Sequence, residues 1–141
     1  VTIRLVGKPT ERGNDLLVGI SLRGTTQDWE LWRTPHVSLV YGRGGRSGDE
    51  GTVTLDDERG PGRNPRAADE GWDLPVWLRI ERDGDSYTGK ASNDGETWKT
   101  IGTIDGPKRS LPSDLYVGFL TGSSGNAETR AIIDNISIET R

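Results

Sequence analysis

Cysteine and methionine are absent from this chain, and histidine and phenylalanine occur once each. Without cysteine there is no disulfide, no thiolate metal site and no cysteine nucleophile. The single imidazole, His36, rules out a histidine cluster around a metal and leaves a Ser-His-Asp arrangement at most one candidate base. No run of about eighteen apolar residues occurs, so no membrane-spanning helix is expected. With no methionine and with Val1 as its first residue, the sequence is expected to be a processed product or an excised domain, any signal peptide already removed.

What the chain has in quantity is glycine, with twenty residues, alongside seven prolines, 30% hydrophobic and 28% charged residues. That balance suits many short strands and turns better than a helical bundle. The 141 residues are the size of one domain with one core, here 1–141. A net charge of −4 argues against a polyanion, and no nucleic-acid partner is expected.

The rest of the chain is organised around VWLRIERDGDSYTGKASNDGETWKTIG, residues 76–102. Val76, Leu78 and Ile80 alternate with Trp77, Arg79 and Glu81, the period of a strand with two different faces. Asp83-Gly84-Asp85 and Asn93-Asp94-Gly95 then supply residues that tolerate positive φ, so the stretch reads as an antiparallel meander of three strands. Upstream, Val1 to Val6 is a half-buried strand with Val1, Ile3 and Leu5 on one face. Leu16 to Leu22 is a second strand, in which Gly19 marks a bulge or a close backbone approach. Trp29 to Arg33 and Val37 to Tyr41 read as strands separated by Thr34-Pro35. From Gly42 to Gly71 the pattern stops, and a long irregular excursion is expected despite the short apolar TVTL at 52–55. Leu115 to Thr121 and Thr129 to Thr140 are the last strands. In the latter, Ile133 has the opposite parity to Ile136 and Ile138, which places a β-bulge at Asp134-Asn135 that returns the apolar set to the core. Eight to ten strands and no helix predict an all-β, two-sheet antiparallel sandwich.

Four segments carry a family resemblance: Val76 to Gly84, Ser92 to Trp98, Val117-Gly118-Phe119 and Ile133-Asp134-Asn135-Ile136. In order and spacing they resemble the WLRLxRxG strand, SxDGxxW hairpin, YVGL strand and closing FDNV strand of bacterial concanavalin A-like, laminin-G-like jelly-roll domains of the DUF1349 type. The likeness covers about residues 72–138 and is weaker before them, where Val18 to Arg23 stands for the family's GLMxR strand. The resemblance implies a concanavalin A-like jelly roll used as an accessory module in secreted or envelope proteins, many acting on carbohydrate. It implies no catalytic site. Ser92 to Trp98 is also similar to the sialidase Asp-box, one residue short between the Asp and the Thr. Asp94 is expected to bond N–H groups of the turn, with Gly95 at positive φ and Trp98 packed over the hairpin.

The chemistry-bearing residues point to binding more than to turnover. Glycoside hydrolysis needs two carboxylates about 5 to 10 Å apart; Asp28 and Glu30 have strand spacing beside Trp29 and Trp32, but the Glu-x-Asp-x-x-Glu pattern of sandwich glucanases is absent. His36, after Pro35, is expected at a surface or edge; proton abstraction by His36, Tyr41 or Tyr87 is selected by nothing in the spacing. Calcium could be held by Asp134 and Asn135 with a carboxylate such as Asp15. Sugar stacking calls for exposed aromatics flanked by polar groups, and the candidates are Trp32, Arg33, Tyr41, Trp72, Trp77 and Arg79. The expected role is a non-catalytic carbohydrate-binding or adhesion module of a larger exported bacterial protein, extracellular or in the cell envelope, with a glycan and neighbouring domains as partners. A structural or protein-interaction domain without a sugar ligand is the first alternative, and a glycan-active hydrolase or lyase the second.

Overall fold

The computed structural model of the chain describes residues 1–6, 16–26, 34–43, 51–57, 66–123 and 131–140. Among them are ten strands and no helix: β1 Thr2–Leu5, β2 Leu16–Arg23, β3 His36–Arg43, β4 Gly51–Asp56, β5 Ala67–Trp72, β6 Val76–Asp83, β7 Ser86–Ser92, β8 Lys99–Asp105, β9 Tyr116–Ser123 and β10 Ile133–Ser137. They form two five-stranded antiparallel sheets, a jelly-roll-like β-sandwich. The meander sheet has the order β10-β1-β6-β7-β8 and the second sheet β5-β4-β3-β2-β9. β6 packs over β2 and β3, and β8 over β4 and β5, so β10 and β9 are edges on the same flank of the sandwich.

The expected meander is β6, β7 and β8, joined through Gly84 at φ +57° and the Ser92–Trp98 loop with Gly95 at φ +79°. Between the sheets lie Ile3 and Leu5 of β1, Val76, Leu78 and Ile80 of β6, and Val18, Ile20, Leu39, Val53 and Leu55 of the second sheet, each at most 2% exposed. Filling this layer with branched side chains is the main stabilising term. Glycines let it close. A Cβ on Gly19 would stand 2.1 Å from the Leu39 carbonyl oxygen and 2.7 Å from Val40 Cα, which makes it a close approach without a bulge, since β2 pairs with β3 in unbroken register.

Three expectations are corrected. The 42–71 excursion contains two strands. Val53 and Leu55 of β4 are wholly buried opposite Tyr41 and Leu39, and β5 pairs outside β4. Two apolar residues among glycines, then AADEGW, carry too little periodicity to announce strands whose order comes from neighbouring β3. His36 is 2% exposed and central in its sheet, because it pairs with Arg23 at the start of β3 rather than lying before it. The bulge in β10 is present, with Asn135 at φ +49° and Thr2 and Arg4 facing Ser137 and Asp134, but it does not return both apolar residues inward. Ile133 packs on the core, whereas Ile136 and Ile138 are 52% and 60% exposed.

Candidate functional site

The outer face of the meander sheet carries residues of alternate parity to the core: Thr2 and Arg4 on β1, Trp77, Arg79 and Glu81 on β6, and Thr88 and Lys90 on β7. Their positions follow from register. Arg79 stands between Thr2 and Lys90, and Trp77 between Arg4 and Ser92. Arg79 Nε donates to Thr2 Oγ1 at 3.0 Å, and its Nη1 lies 3.8 Å from Glu81 Oε1. Lys90 Nζ donates to Glu81 Oε2 at 2.6 Å. The result is a half-buried row of fixed donors and acceptors across three strands.

The Ser92–Trp98 loop folds back onto this row. Asp94 Oδ1 accepts the Thr97 N–H at 2.7 Å, the Glu96 N–H at 2.8 Å and the Ser92 hydroxyl at 2.8 Å. The Thr97 and Glu96 N–H groups, with the Ser92 hydroxyl, hold its carboxyl well below the usual carboxylate range. Thus locked, the loop sets Gly95 against the Trp77 ring, where a Cβ would come within 2.8 Å of Cε2. Trp98 is carried over Arg79, whose guanidinium carbon lies 3.9 Å from the ring centroid. The expected turn chemistry of Asp94 and Gly95 is present, but the tryptophans exchange roles. Trp77 packs under the hairpin, and Trp98 stacks on the sheet's arginine.

The second sheet's outer face differs. Ser21, His36, Ser38 and Val40 are each at most 2% exposed. Ser38 Oγ donates to Ser21 Oγ at 3.1 Å, and Arg23 Nη2 to Thr34 Oγ1 at 2.6 Å. His36 Nδ1 lies 2.9 Å from the Thr34 carbonyl, so that nitrogen carries the hydrogen and donates. Just past β4, Asp57 accepts from Arg66 Nε at 2.8 Å and from the Lys108 N–H at 2.8 Å. Burial would raise its pKa, but these bonds to Arg66 and Lys108, with the nearby charge of Arg66, bring it below the ordinary value.

Of the residues singled out for sugar binding, Trp77 and Arg79 come together on the meander face, half-buried. Tyr41 is 0% exposed within the core, and Trp72 is 6% exposed with its indole N–H on Asp69 at 2.8 Å, so neither ring is presented at the surface. Trp32 and Arg33 lie outside the described residues, as do Trp29, Asp28, Glu30 and Asp15. Arg4 Nη2 donates to Asp134 Oδ2 at 2.9 Å and its Nε lies 2.9 Å from Oδ1, while Asn135 Nδ2 reaches Oδ1 at 3.2 Å. Calcium takes about six to eight oxygen ligands. Among the described residues no three acidic or histidine side chains converge; Asp134 is held by Arg4, and Asp15 lies outside the described residues. Trp98, Lys90 and Thr2 were not among the sugar-binding candidates. Hairpin register was the signal for Trp98, because Arg79 faces Lys90 and Lys90 faces Thr100, two residues beyond it.

Comparisons of the chain with protein-family models, with curated proteins and with solved structures returned no match.

Proposed function

We propose that this chain is a non-catalytic carbohydrate-binding module of the concanavalin A-like kind, part of a larger exported bacterial protein, and that it receives sugar on the outer face of the meander sheet at Trp98. The observation that carries the proposal is the stack of Trp98 on Arg79 among Thr2, Glu81 and Lys90. A pyranose offers an apolar C–H face and a rim of hydroxyls. It is recognised by an indole plane beside polar groups already held in place, so that little side-chain entropy is lost on binding. Arg79 has that fixation from the ring and from Thr2, and Glu81 from Lys90. A carboxylate spanned by two cations serves as an oriented acceptor rather than as a proton donor. The motif order from β6 to β10, similar to that of secreted accessory modules, supports the same reading and the exported location.

The test is a glycan array and polysaccharide pulldown on the isolated chain, followed by titration of Trp emission for each hit. Saturable binding that shifts the emission is expected, with Trp98→Ala weakening it at least ~10-fold, about 1.4 kcal/mol, while the far-ultraviolet dichroism is unchanged. Silence across a broad panel, or full affinity in Trp98→Ala, would sink the proposal.

A further inference from the structure

The cations of the meander sheet differ in how fully they are engaged. Arg4 is held across both Asp134 oxygens at 2.9 Å. Arg82 donates to the carbonyls of Gly84, Pro112 and Ser113. Lys90 sits 2.6 Å from Glu81 Oε2. Among the described residues Arg79 makes a single hydrogen bond, from Nε to Thr2 Oγ1 at 3.0 Å, and the carboxylate beside it, at 3.8 Å, is the one that Lys90 already holds. Its two Nη groups are donors that still face water, on a side chain 33% exposed.

This opening is not a gap in the sheet. Both positions flanking Arg79 are filled, by Thr2 of β1 and Lys90 of β7, and Trp98 covers the guanidinium face at 3.9 Å. With Nε tied and one face covered, the Nη edge is presented in one orientation, and little rotamer entropy is left to lose on binding. Such an edge is matched by a planar carboxylate, which accepts two parallel N–H···O bonds, whereas a sugar hydroxyl makes a single one. Charge favours the same ligand, since Arg79 and Lys90 against Glu81 leave one positive charge beside the indole. It also limits the number of carboxylates. Asp134 closes the β10 side, Asp94 and Glu96 lie in the loop that carries Trp98, and the chain as a whole has a net charge of −4. One carboxylate is accommodated, and a dense run of them is repelled.

We propose that the glycan received at Trp98 bears an isolated hexuronate, its carboxylate taken on the Nη edge of Arg79 and a neighbouring neutral ring on the indole. A hexuronate is the sugar that places a planar carboxylate on a pyranose ring. This names the ligand class of the site described above and rests on the sugar-binding reading.

The probes are tetrasaccharides neutral but for a terminal glucuronate or galacturonate, their carboxyl-reduced and 6-sulfated counterparts, and polygalacturonate, each titrated into the full chain and followed by Trp emission. At least one uronate is expected to bind at least ~10-fold more tightly than its reduced form, and the difference should shrink in high salt. Arg79→Lys keeps the charge and loses the fork, so the same ratio should fall below ~3-fold. A purely structural role for Arg79 would weaken both forms alike, and an unchanged ratio would therefore overturn the inference. Equal binding of acid and reduced forms, tighter binding of the sulfate, or tighter binding of polygalacturonate per uronate would overturn it too and leave the sugar-binding reading standing. So would neutral hits on the glycan array without an acidic one. Silence across the array and every probe removes the sugar-binding reading itself, and this inference with it.

Discussion

The two outer faces of this sandwich are made by opposite means. On the meander sheet, polar side chains of β1, β6 and β7 remain half in water and hold one another in cross-strand pairs, with Trp98 laid over Arg79. On the second sheet the corresponding positions on β2 and β3 include Gly19, Ser21, His36, Ser38 and Val40, mostly small or apolar and all buried. The lesson concerns where selectivity can reside. A face of fixed, accessible donors can meet a ligand without rearrangement, whereas a buried face of small residues is committed to packing.

The sharpest way to break this comparison is to add one methyl group to each face. Gly19→Ala would drive Cβ into the Leu39 carbonyl and the Val40 Cα, backbone atoms that cannot rotate aside. We expect a loss of about 3 kcal/mol in urea unfolding. Gly95→Ala meets the Trp77 ring and a φ of +79°, in a loop that can lift, and should cost about 1–2 kcal/mol. Equal costs at the two sites would mean that the faces are equally tight.

The same contrast explains what was legible in the sequence. β6 and β7 have one dry and one wet face, so Val76, Leu78 and Ile80 alternate cleanly with Trp77, Arg79 and Glu81, and the turns announce themselves through Gly84 and Gly95. β2 and β3 are covered on both faces, so period two blurs in LLVGISLR and HVSLVYGR, although both still read as strands. β5 could not be read at all. Its six residues pair with β4 as an edge and bury only Trp72 fully, and pairing is long-range information that a local window lacks. On the candidate site, Trp77 and Arg79 were legible as one face. The stack on Trp98 was not, because, although Asp94's bonds to the turn N–H groups were expected, where the loop lays the indole depends on the β7–β8 pairing, whose register shifts between Gly89 and Lys90.

A second test compares the ion pairs of the two sheets. The Asp57 side chain is fully covered and bonded to Arg66 and to the Lys108 N–H, so Asp57→Asn should cost about 2 kcal/mol at neutral pH. Its folded-state pKa lies below the unfolded value, so the stability it contributes is complete above about pH 4 and is lost as pH falls through the lower folded value. Asp94 and Asp69 act in the same direction, Asp94 through the Thr97 and Glu96 N–H groups and Asp69 through Lys99. Stability measured by urea unfolding should therefore decline with acid below about pH 4, and less steeply in Asp57→Asn. An unchanged acid slope in that variant would show that Arg66 and Lys108 do not favour the carboxylate in the folded state.

The smallest effect is expected at Glu81 and Lys90, whose side chains are 33% and 26% exposed. Water still screens them, so a double-mutant cycle with Glu81→Gln and Lys90→Gln should give a coupling of about 0.5 kcal/mol that shrinks in high salt. The same Glu81→Gln change should be felt more in sugar affinity than in stability, because the carboxylate is an oriented acceptor beside the Trp98 stack rather than a prop for the fold. A salt-insensitive coupling of about 2 kcal/mol or more would place the pair in a desolvated network. The meander face would then be closed in the same sense as the second sheet's, and a ligand could reach Arg79 only by displacing what covers it.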